Sequence, residues 1–192
     1  FNENVNTINK QVKLIEQLVN EFSDFARMPK PIFKKIYLEK IANDTLKLMK
    51  INDEKIKIIL KCGDKVPVLA DVDQINRVFI NLIKNSIESL NEKYKKNNDF
   101  VKKIIIEICE INDYIEILII DNGTGFNAKN LSEVTKPYFT TKKNGSGLGL
   151  SIVVKIINDH NGTIDFLNYN KGAKIRITLP KLNVSWNINY RW

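Results

Sequence analysis

The stretch that decides the fold is Asp121-Asn122-Gly123-Thr124-Gly125-Phe126, taken together with Gly145-Ser146-Gly147-Leu148-Gly149-Leu150 downstream of it. The first follows a near-continuous apolar run, Ile117-Leu118-Ile119-Ile120, so Asp121 stands where a buried strand gives way to a glycine turn. An ionised carboxylate only accepts hydrogen bonds. At the mouth of a pocket it suits the exocyclic amine of adenine and faces the carbonyl of guanine with repulsion. The same residues also make a plain turn signal, and this segment alone leaves both readings open. In the second stretch Gly145, Gly147 and Gly149 precede an apolar helix pattern. Glycines let a backbone approach phosphate closely, and exposed amides at a helix start attract anions. Close packing alone also places glycines there. No Gly-Lys-Ser/Thr follows, which excludes a P-loop, and the Gly-x-Gly-x-Gly spacing is not the dinucleotide fingerprint.

Between the two glycine stretches, residues 127–144 are polar with little apolar periodicity and include Pro137-Tyr138-Phe139-Thr140-Thr141-Lys142. A segment of that length inside a compact domain is usually a functional lid. Upstream, residues 71–94 give a strong helix pattern. Val78, Leu82, Ser86 and Ser89 share one side, and Ile75, Phe79, Ile83, Ile87 and Leu90 form an adjoining apolar face. Asp71 or Asp73 caps its start. Within it, Asn81-Leu82-Ile83-Lys84-Asn85-Ser86 places Asn81 and Asn85 one turn apart on one face. An amide oxygen can ligate Mg²⁺, with phosphate oxygens and water completing the octahedron. Two asparagines otherwise mark a solvent face, yet this helix is heavily apolar.

Further out, residues 38–50 have helical periodicity. Residues 55–61 and 66–70 are expected to be strands, joined as a hairpin by Cys62-Gly63-Asp64-Lys65. Residues 101–111 and 114–120 form a second strand pair around Asn112-Asp113. A helix over 147–160 is closed by Asn161-Gly162, and strands over 163–168 and 173–179 flank a turn with Gly172, before Pro180 stops the last. The expected fold is α+β: a two-layer α/β sandwich, one mixed sheet with about three helices on one face.

Before this domain, Val5, Ile8, Val12, Ile15, Val19, Phe22 and Ala26 recur in steps of three and four, a heptad seam held for three repeats. Leu14, Leu18 and Phe25 widen the stripe. No equal mate exists elsewhere in the chain, so the partner helix is expected from another segment or subunit. Met28-Pro29-Lys30-Pro31 ends the helix, because proline cannot donate to the ladder and disfavours helix in the residue before it. The chain divides into a helix (1–28), a linker (29–32), a domain (33–180) and a tail (181–192). The tail, with Trp186, Tyr190 and Trp192, is expected to pack on the surface.

The formal charge is +8, but the lysines are scattered as short pairs without a dense basic run, so no nucleic-acid partner is expected. Cys62 and Cys109 fit no metal spacing and read as reduced, mostly buried thiols. No apolar run has the length of a membrane span. The first residue falls inside a helix pattern, so the chain reads as a piece, with any membrane spans upstream of it.

The four segments, in this order and spacing, resemble the N, G1, F and G2 boxes of the histidine-kinase branch of the GHKL ATPase superfamily, over residues 33–180. Ala26-Arg27-Met28-Pro29 after Phe22 and Phe25 resembles the end of the second dimerisation helix of NtrY-like nitrogen-regulation kinases. The resemblance implies a Bergerat-type ATP-binding fold with ATP and Mg²⁺ as cofactors. It implies that Asn85 ligates Mg²⁺, that Asn81 and Lys84 support the triphosphate, and that Asp121 takes adenine above Gly123 and Gly125. Phe139, Thr140, Thr141 and Lys142 would belong to the ATP lid, with Lys142 nearest the γ-phosphate. Gly145, Ser146, Gly147, Leu148 and Gly149 would close over the phosphates. It further implies a homodimer through the first helix, phosphotransfer to a histidine and then to a response-regulator aspartate, and a cytoplasmic place in a membrane-anchored bacterial sensor.

Two departures qualify this. Clamp-type relatives carry a glutamate one turn before the magnesium asparagine, to activate water. Here Asn81 stands at that position, and an amide is no general base, which favours transfer over hydrolysis. An anti-sigma-type serine kinase is disfavoured by the heptad helix and its proline stop, and a binding-only degenerate domain by the intact boxes. The one histidine, His160, ends the helix after the second glycine stretch, where a helix-terminal role against the dipole fits better than an acceptor role. An acceptor helix is therefore expected upstream of Phe1.

Overall fold

The computed structural model describes residues 27–49, 55–63, 65, 67–96, 99–126, 131–140, 145–170 and 172–182, together with positions 5, 7–9, 11, 12, 15, 16, 19, 22 and 23. In chain order the elements are β1 (Lys34–Tyr37), α1 (Leu38–Leu48), β2 (Ile56–Cys62), β3 (Pro67–Ala70), α2 (Val72–Lys96), β4 (Lys102–Ile111), β5 (Tyr114–Asp121), a 3-10 turn (Leu131–Thr135), α3 (Gly149–Asp159), β6 (Thr163–Tyr169) and β7 (Gly172–Pro180).

Five strands form a sheet in the order β2-β4-β5-β7-β6, with β2 parallel to β4 and the other pairs antiparallel. The alternation in β4 sets its two faces. Ile104 and Ile106 are fully buried and Ile108 nearly so, while Lys103, Ile105 and Glu107 on the other face stay partly exposed. Among the described residues, the helices lie on the first face. There α2 is the centre of the core: Ile75, Val78, Phe79, Leu82, Ile83 and Leu90 are all at most 2% exposed. Burial of a side chain of this size contributes roughly 1.5–3 kcal/mol, so this one helix anchors the layer. α3 packs beside α2, and its Ile152, Val153, Ile156 and Ile157 are buried.

The expected hairpin between residues 55–61 and 66–70 is not formed. β2 lies along β4, and β3 pairs antiparallel with β1 in a separate two-stranded sheet, so the expected single sheet is two. Pro67 lacks a ladder donor and stands at the first position of this short strand, where that loss costs least. β1 itself was not legible, since Lys34-Lys35-Ile36-Tyr37 is too short and polar to signal. α3 starts at Gly149, two residues later than expected. The cysteines are not buried as expected: Cys62 is exposed at the end of the outermost strand β2 and Cys109 is half-buried.

The helix ends are built as their sequences suggest. Asp71 Oδ1 caps α2, accepting the amides of Asp73 and Gln74 at 3.0 Å each. At the end of α3, Asn161 takes a φ of 55°, its amide donates to Asn158 O, and the Gly162 amide donates to Ile157 O at 2.9 Å. That is a Schellman close, with asparagine in the left-handed place glycine usually holds. Every described position from Val5 to Ser23 is helical. The seam residues Val5, Ile8, Val12, Ile15, Val19 and Phe22 are all exposed, by 41–61%. Leu14, Leu18, Phe25, Ala26 and the tail aromatics lie outside the described residues.

Candidate nucleotide site

Asp121 ends β5 with a carboxylate only 5% exposed. Its Oδ1 accepts the Gly123 amide at 2.9 Å and the Ala173 amide at 3.4 Å, and its Oδ2 accepts the Ser86 hydroxyl at 3.1 Å. Burial pushes this carboxyl above the usual carboxylate range. The bonds from Gly123, Ser86 and Ala173, and the charge of Lys93, oppose that shift without cancelling it. A group so placed is held by donors yet starved of water, which primes it to gain from one further donor.

The turn after Asp121 is tied down on three sides. From α2, Ser89 Oγ accepts the Thr124 amide at 2.9 Å and lies 3.1 Å from the Thr124 hydroxyl. The Lys93 ammonium donates to the carbonyls of Asn122 and Gly123. From β6, the Asn168 amide group accepts from Phe126 N at 2.7 Å and donates to Phe126 O at 3.2 Å. Asn122 accepts the Lys103 amide at 2.8 Å and donates to Val101 O at 2.9 Å. Gly123 has no room for a side chain, because a β-carbon would lie 2.9 Å from the Ser89 backbone carbon as well as against its hydroxyl. Gly125 has a φ of 71°.

One turn earlier on α2, Asn81 donates through Nδ2 to Arg77 O at 2.8 Å, which assigns its Oδ1 to the other side. A β-carbon on Gly149 would stand 3.0 Å from that oxygen, so the asparagine helix meets the second glycine stretch. Asn85 is half-buried and Lys84 exposed. Leu148 is buried, the Ser146 hydroxyl accepts its amide at 3.2 Å, and no side chain caps α3 at Leu148. The segment carrying Phe139 and Thr140 is clasped at its base. Tyr138 N donates to Gly147 O at 3.1 Å, with Tyr138 at a φ of 67° and Gly147 at 70°. A β-carbon on Gly147 would meet Phe139 N at 2.8 Å. Phe139 is half-buried, Thr140 is exposed, and Gly145 and Ser146 are half-buried. Thr141 and Lys142 lie outside the described residues.

Thus α2 gathers the expected site residues: Ser86 joins it to Asp121, Ser89 and Lys93 to the first glycine turn, and Asn81 to Gly149. Ser86, Ser89, Lys93 and Asn168 were not expected as site residues. Ser86 and Ser89 left a faint signal, as hydroxyls interrupting an otherwise apolar helix face. An open cleft of about 430 Å³ between the 3-10 turn, α3 and β6, lined by Leu131, Val154, Asn158, Ile164 and Phe166 among others, contains none of the expected site residues.

A family model described as histidine kinase-, DNA gyrase B-, and HSP90-like ATPase matches residues 70–183. The nitrogen regulation protein NtrY of Azorhizobium caulinodans is 33% identical over 181 residues, covering 93% of this chain and 23% of that protein. A putative NtrY-like sensor histidine kinase of Rickettsia felis is 35% identical over 176 residues, covering 88% of this chain and 28% of that protein. The chain thus spans about a quarter of the length of these curated relatives. Among solved structures, the catalytic domain of histidine kinase ThkA superposes with a TM-score of 0.68 at 28% identity, over 78% of this chain and 96% of that one. ThkA in complex with the response regulator TrrA superposes at 0.74 and 22% identity, over 93% of this chain and 51% of that one. The matched residues hold the buried strand-end carboxylate, the asparagine helix and the paired glycine turns and make up more than half of the sequence, and the chain belongs to the family of histidine kinase-, DNA gyrase B- and HSP90-like ATPases.

Proposed function

We propose that this domain binds Mg²⁺–ATP as the catalytic part of a two-component sensor histidine kinase, which passes the γ-phosphoryl group to a histidine and then to an aspartate of a response regulator. The observation that carries the reading is Asp121, a buried acceptor carboxylate framed by Gly123, Ser86 and Ala173. Asp121 takes the adenine amine over a floor made by Gly123 and Gly125. The residues fit a triphosphate as well, since no side chain of Leu148 caps α3, only the Ser146 hydroxyl holds the Leu148 amide at 3.2 Å, and Gly149 meets the helix carrying Asn81 and Lys84. Among the described residues no group of His, Cys, Asp and Glu forms a metal site. Mg²⁺ is assigned to the Asn85 amide oxygen together with ligand oxygens, as an amide oxygen suits a hard cation. Bound Mg²⁺–ATP supplies the phosphoryl group and the cation that neutralises its charge.

Phe139, Thr140, Thr141, Lys142, Gly145, Ser146 and Gly147 form the lid that excludes water, with Lys142 as the cation for the γ-phosphate. Asn81 binds and orients but takes no proton from water, because an amide is no base, which supports transfer over hydrolysis. His160 is not offered as the acceptor: it is 3% exposed and both ring nitrogens are engaged. The acceptor histidine is assigned to another segment or chain. The exposed seam from Val5 to Phe22 fits a homodimer through that helix. Among the described residues no helix is long and apolar enough to cross a membrane. The domain is assigned to the cytoplasmic side of a membrane-anchored sensor.

Calorimetric titration with ATP and GTP, each with and without Mg²⁺, tests the reading. The expected result is Mg²⁺-dependent ATP binding with GTP weaker by roughly tenfold or more, as one charge-assisted hydrogen bond lost at a buried acceptor implies. Equal affinity for the two nucleotides, or none for either, overturns it.

A further inference from the structure

Ser86 follows Asn85 on α2 and is 2% exposed. A helical serine commonly bonds back to the carbonyl four residues before it. Ser86 instead reaches across to the end of β5 and donates to Asp121 Oδ2 at 3.1 Å. The terminal torsion of an aspartate is soft, so contacts on one oxygen leave the carboxylate plane free to swing. Oδ1 is held by the amides of Gly123 and Ala173, and Ser86 supplies the side-chain contact that fixes Oδ2. Two carboxylate oxygens offer about four acceptor directions. The two amides occupy those of Oδ1 and Ser86 occupies one on Oδ2, which among the described residues leaves the second direction of Oδ2 for a base.

Resting on the adenine reading above, we propose that Ser86 is a positioning residue for nucleobase selection: its hydroxyl holds Asp121 Oδ2 as an acceptor for a purine 6-amino group and against a 6-carbonyl group. The electrostatics run the same way. Burial drives Asp121 toward its protonated form, and the Ser86 hydroxyl is among the groups that resist this, with Lys93 the charged group facing it. Without that hydroxyl the carboxyl turns more readily and protonates more readily. A protonated carboxyl donates, and so tolerates the carbonyl it otherwise repels.

The test is calorimetric titration of the wild-type chain and Ser86→Ala with three Mg²⁺ nucleotides: ATP, GTP, and purine riboside triphosphate, which carries no 6-substituent. The ATP advantage over the purine analogue is expected to shrink roughly three- to tenfold in Ser86→Ala, with the analogue's own affinity within about twofold of wild type. GTP should gain on ATP. A serine that only packs would weaken all three nucleotides alike, so unchanged ratios overturn the proposal. Should circular dichroism show Ser86→Ala unfolded, Ser86→Cys keeps the shape with a weaker donor and must show the same shrinkage, or the proposal fails. A wild-type chain that does not prefer ATP to the analogue overturns the adenine reading and this proposal together. An intact wild-type preference with unaltered ratios in the variants overturns the role of Ser86 alone.

Discussion

Asp121 is a residue at which stability and binding pull in opposite directions. Its folded pKa is raised, so its contribution to stability is present below the ordinary carboxylate pKa of 3.8 and lost as pH rises through the folded value. At neutral pH the ionised group therefore burdens the free domain. Asp121→Asn keeps an oxygen for the Gly123 amide and removes the buried charge. It should leave the melting temperature unchanged or higher while lowering ATP affinity roughly ten- to hundredfold. Thermal denaturation and titration on the same sample check both halves. A fall in stability matching the fall in affinity would mean that the carboxylate is structural. Asp121 was legible because a carboxylate between an apolar strand and a glycine turn is chemically odd. Its partners were not, because Ser86 and Ala173 are 35 and 52 residues away in sequence.

Among the elements, α2 depends on its cap and the lid on its clasp. Asp71 serves twice: Oδ1 caps α2, while Oδ2 accepts the Ile32 amide at 2.8 Å and docks the linker. Asp71→Ala loses both and should cost about 1–2 kcal/mol, or roughly 2–8 °C in a domain of this size. Asp71→Asn keeps the cap and loses the linker acceptor, so it should melt between alanine and wild type. Hydrogen exchange of the Ile32 amide should rise in both variants. At the lid base, Gly147→Ala places a β-carbon against Phe139 on a residue at a φ of 70°. It should destabilise by more than about 1 kcal/mol and weaken ATP binding; an alanine variant with wild-type melting and affinity would show that the clasp is dispensable. The glycines were legible as a stretch, but their clasp on Tyr138 was not, since it depends on which backbone faces which.

At the scale of the whole molecule, His160 joins what the sequence keeps apart. Its Nε2 accepts the Asp71 amide at 2.9 Å, its Nδ1 donates to Ile156 O at 2.7 Å, and Phe33 packs edge-on at 5.2 Å. The linker side, the start of α2 and the end of α3 therefore meet on one neutral ring. Its role is not the charge–dipole contact expected from the sequence. Burial lowers its pKa below the ordinary 6.5, outweighing the Ile156 bond and the charges of Asp71 and Asp159, which act the other way. A lowered base gives stability that is complete above the unfolded pKa and is lost as pH falls from there toward the folded value. Chemical denaturation from pH 8 to 5 should show wild type weakening below about 6.5. His160→Gln, which keeps an acceptor for the Asp71 amide, should be less stable at pH 8 and flatter across that window. Parallel slopes would remove His160 as the cause.

Periodicity and local chemistry are properties of neighbours along the chain, so the sequence by itself determined the main elements. The central apolar helix, the strand run into Asp121, the glycine turns, the proline stop at Met28-Pro29 and the Asn161-Gly162 close are all legible from residues a few positions apart. They sufficed for the fold class and for the acceptor carboxylate. Partner choice was beyond them. The turn at Gly63 is compatible with a hairpin, and only the assembled sheet gave β2 to β4 and β3 to β1. The donors around Asp121, the Lys93 clamp and the His160 junction were likewise decided in three dimensions. The physical reason is common to them all: a hydrogen bond across a packed layer depends on register and burial, which exist only once the layers have formed.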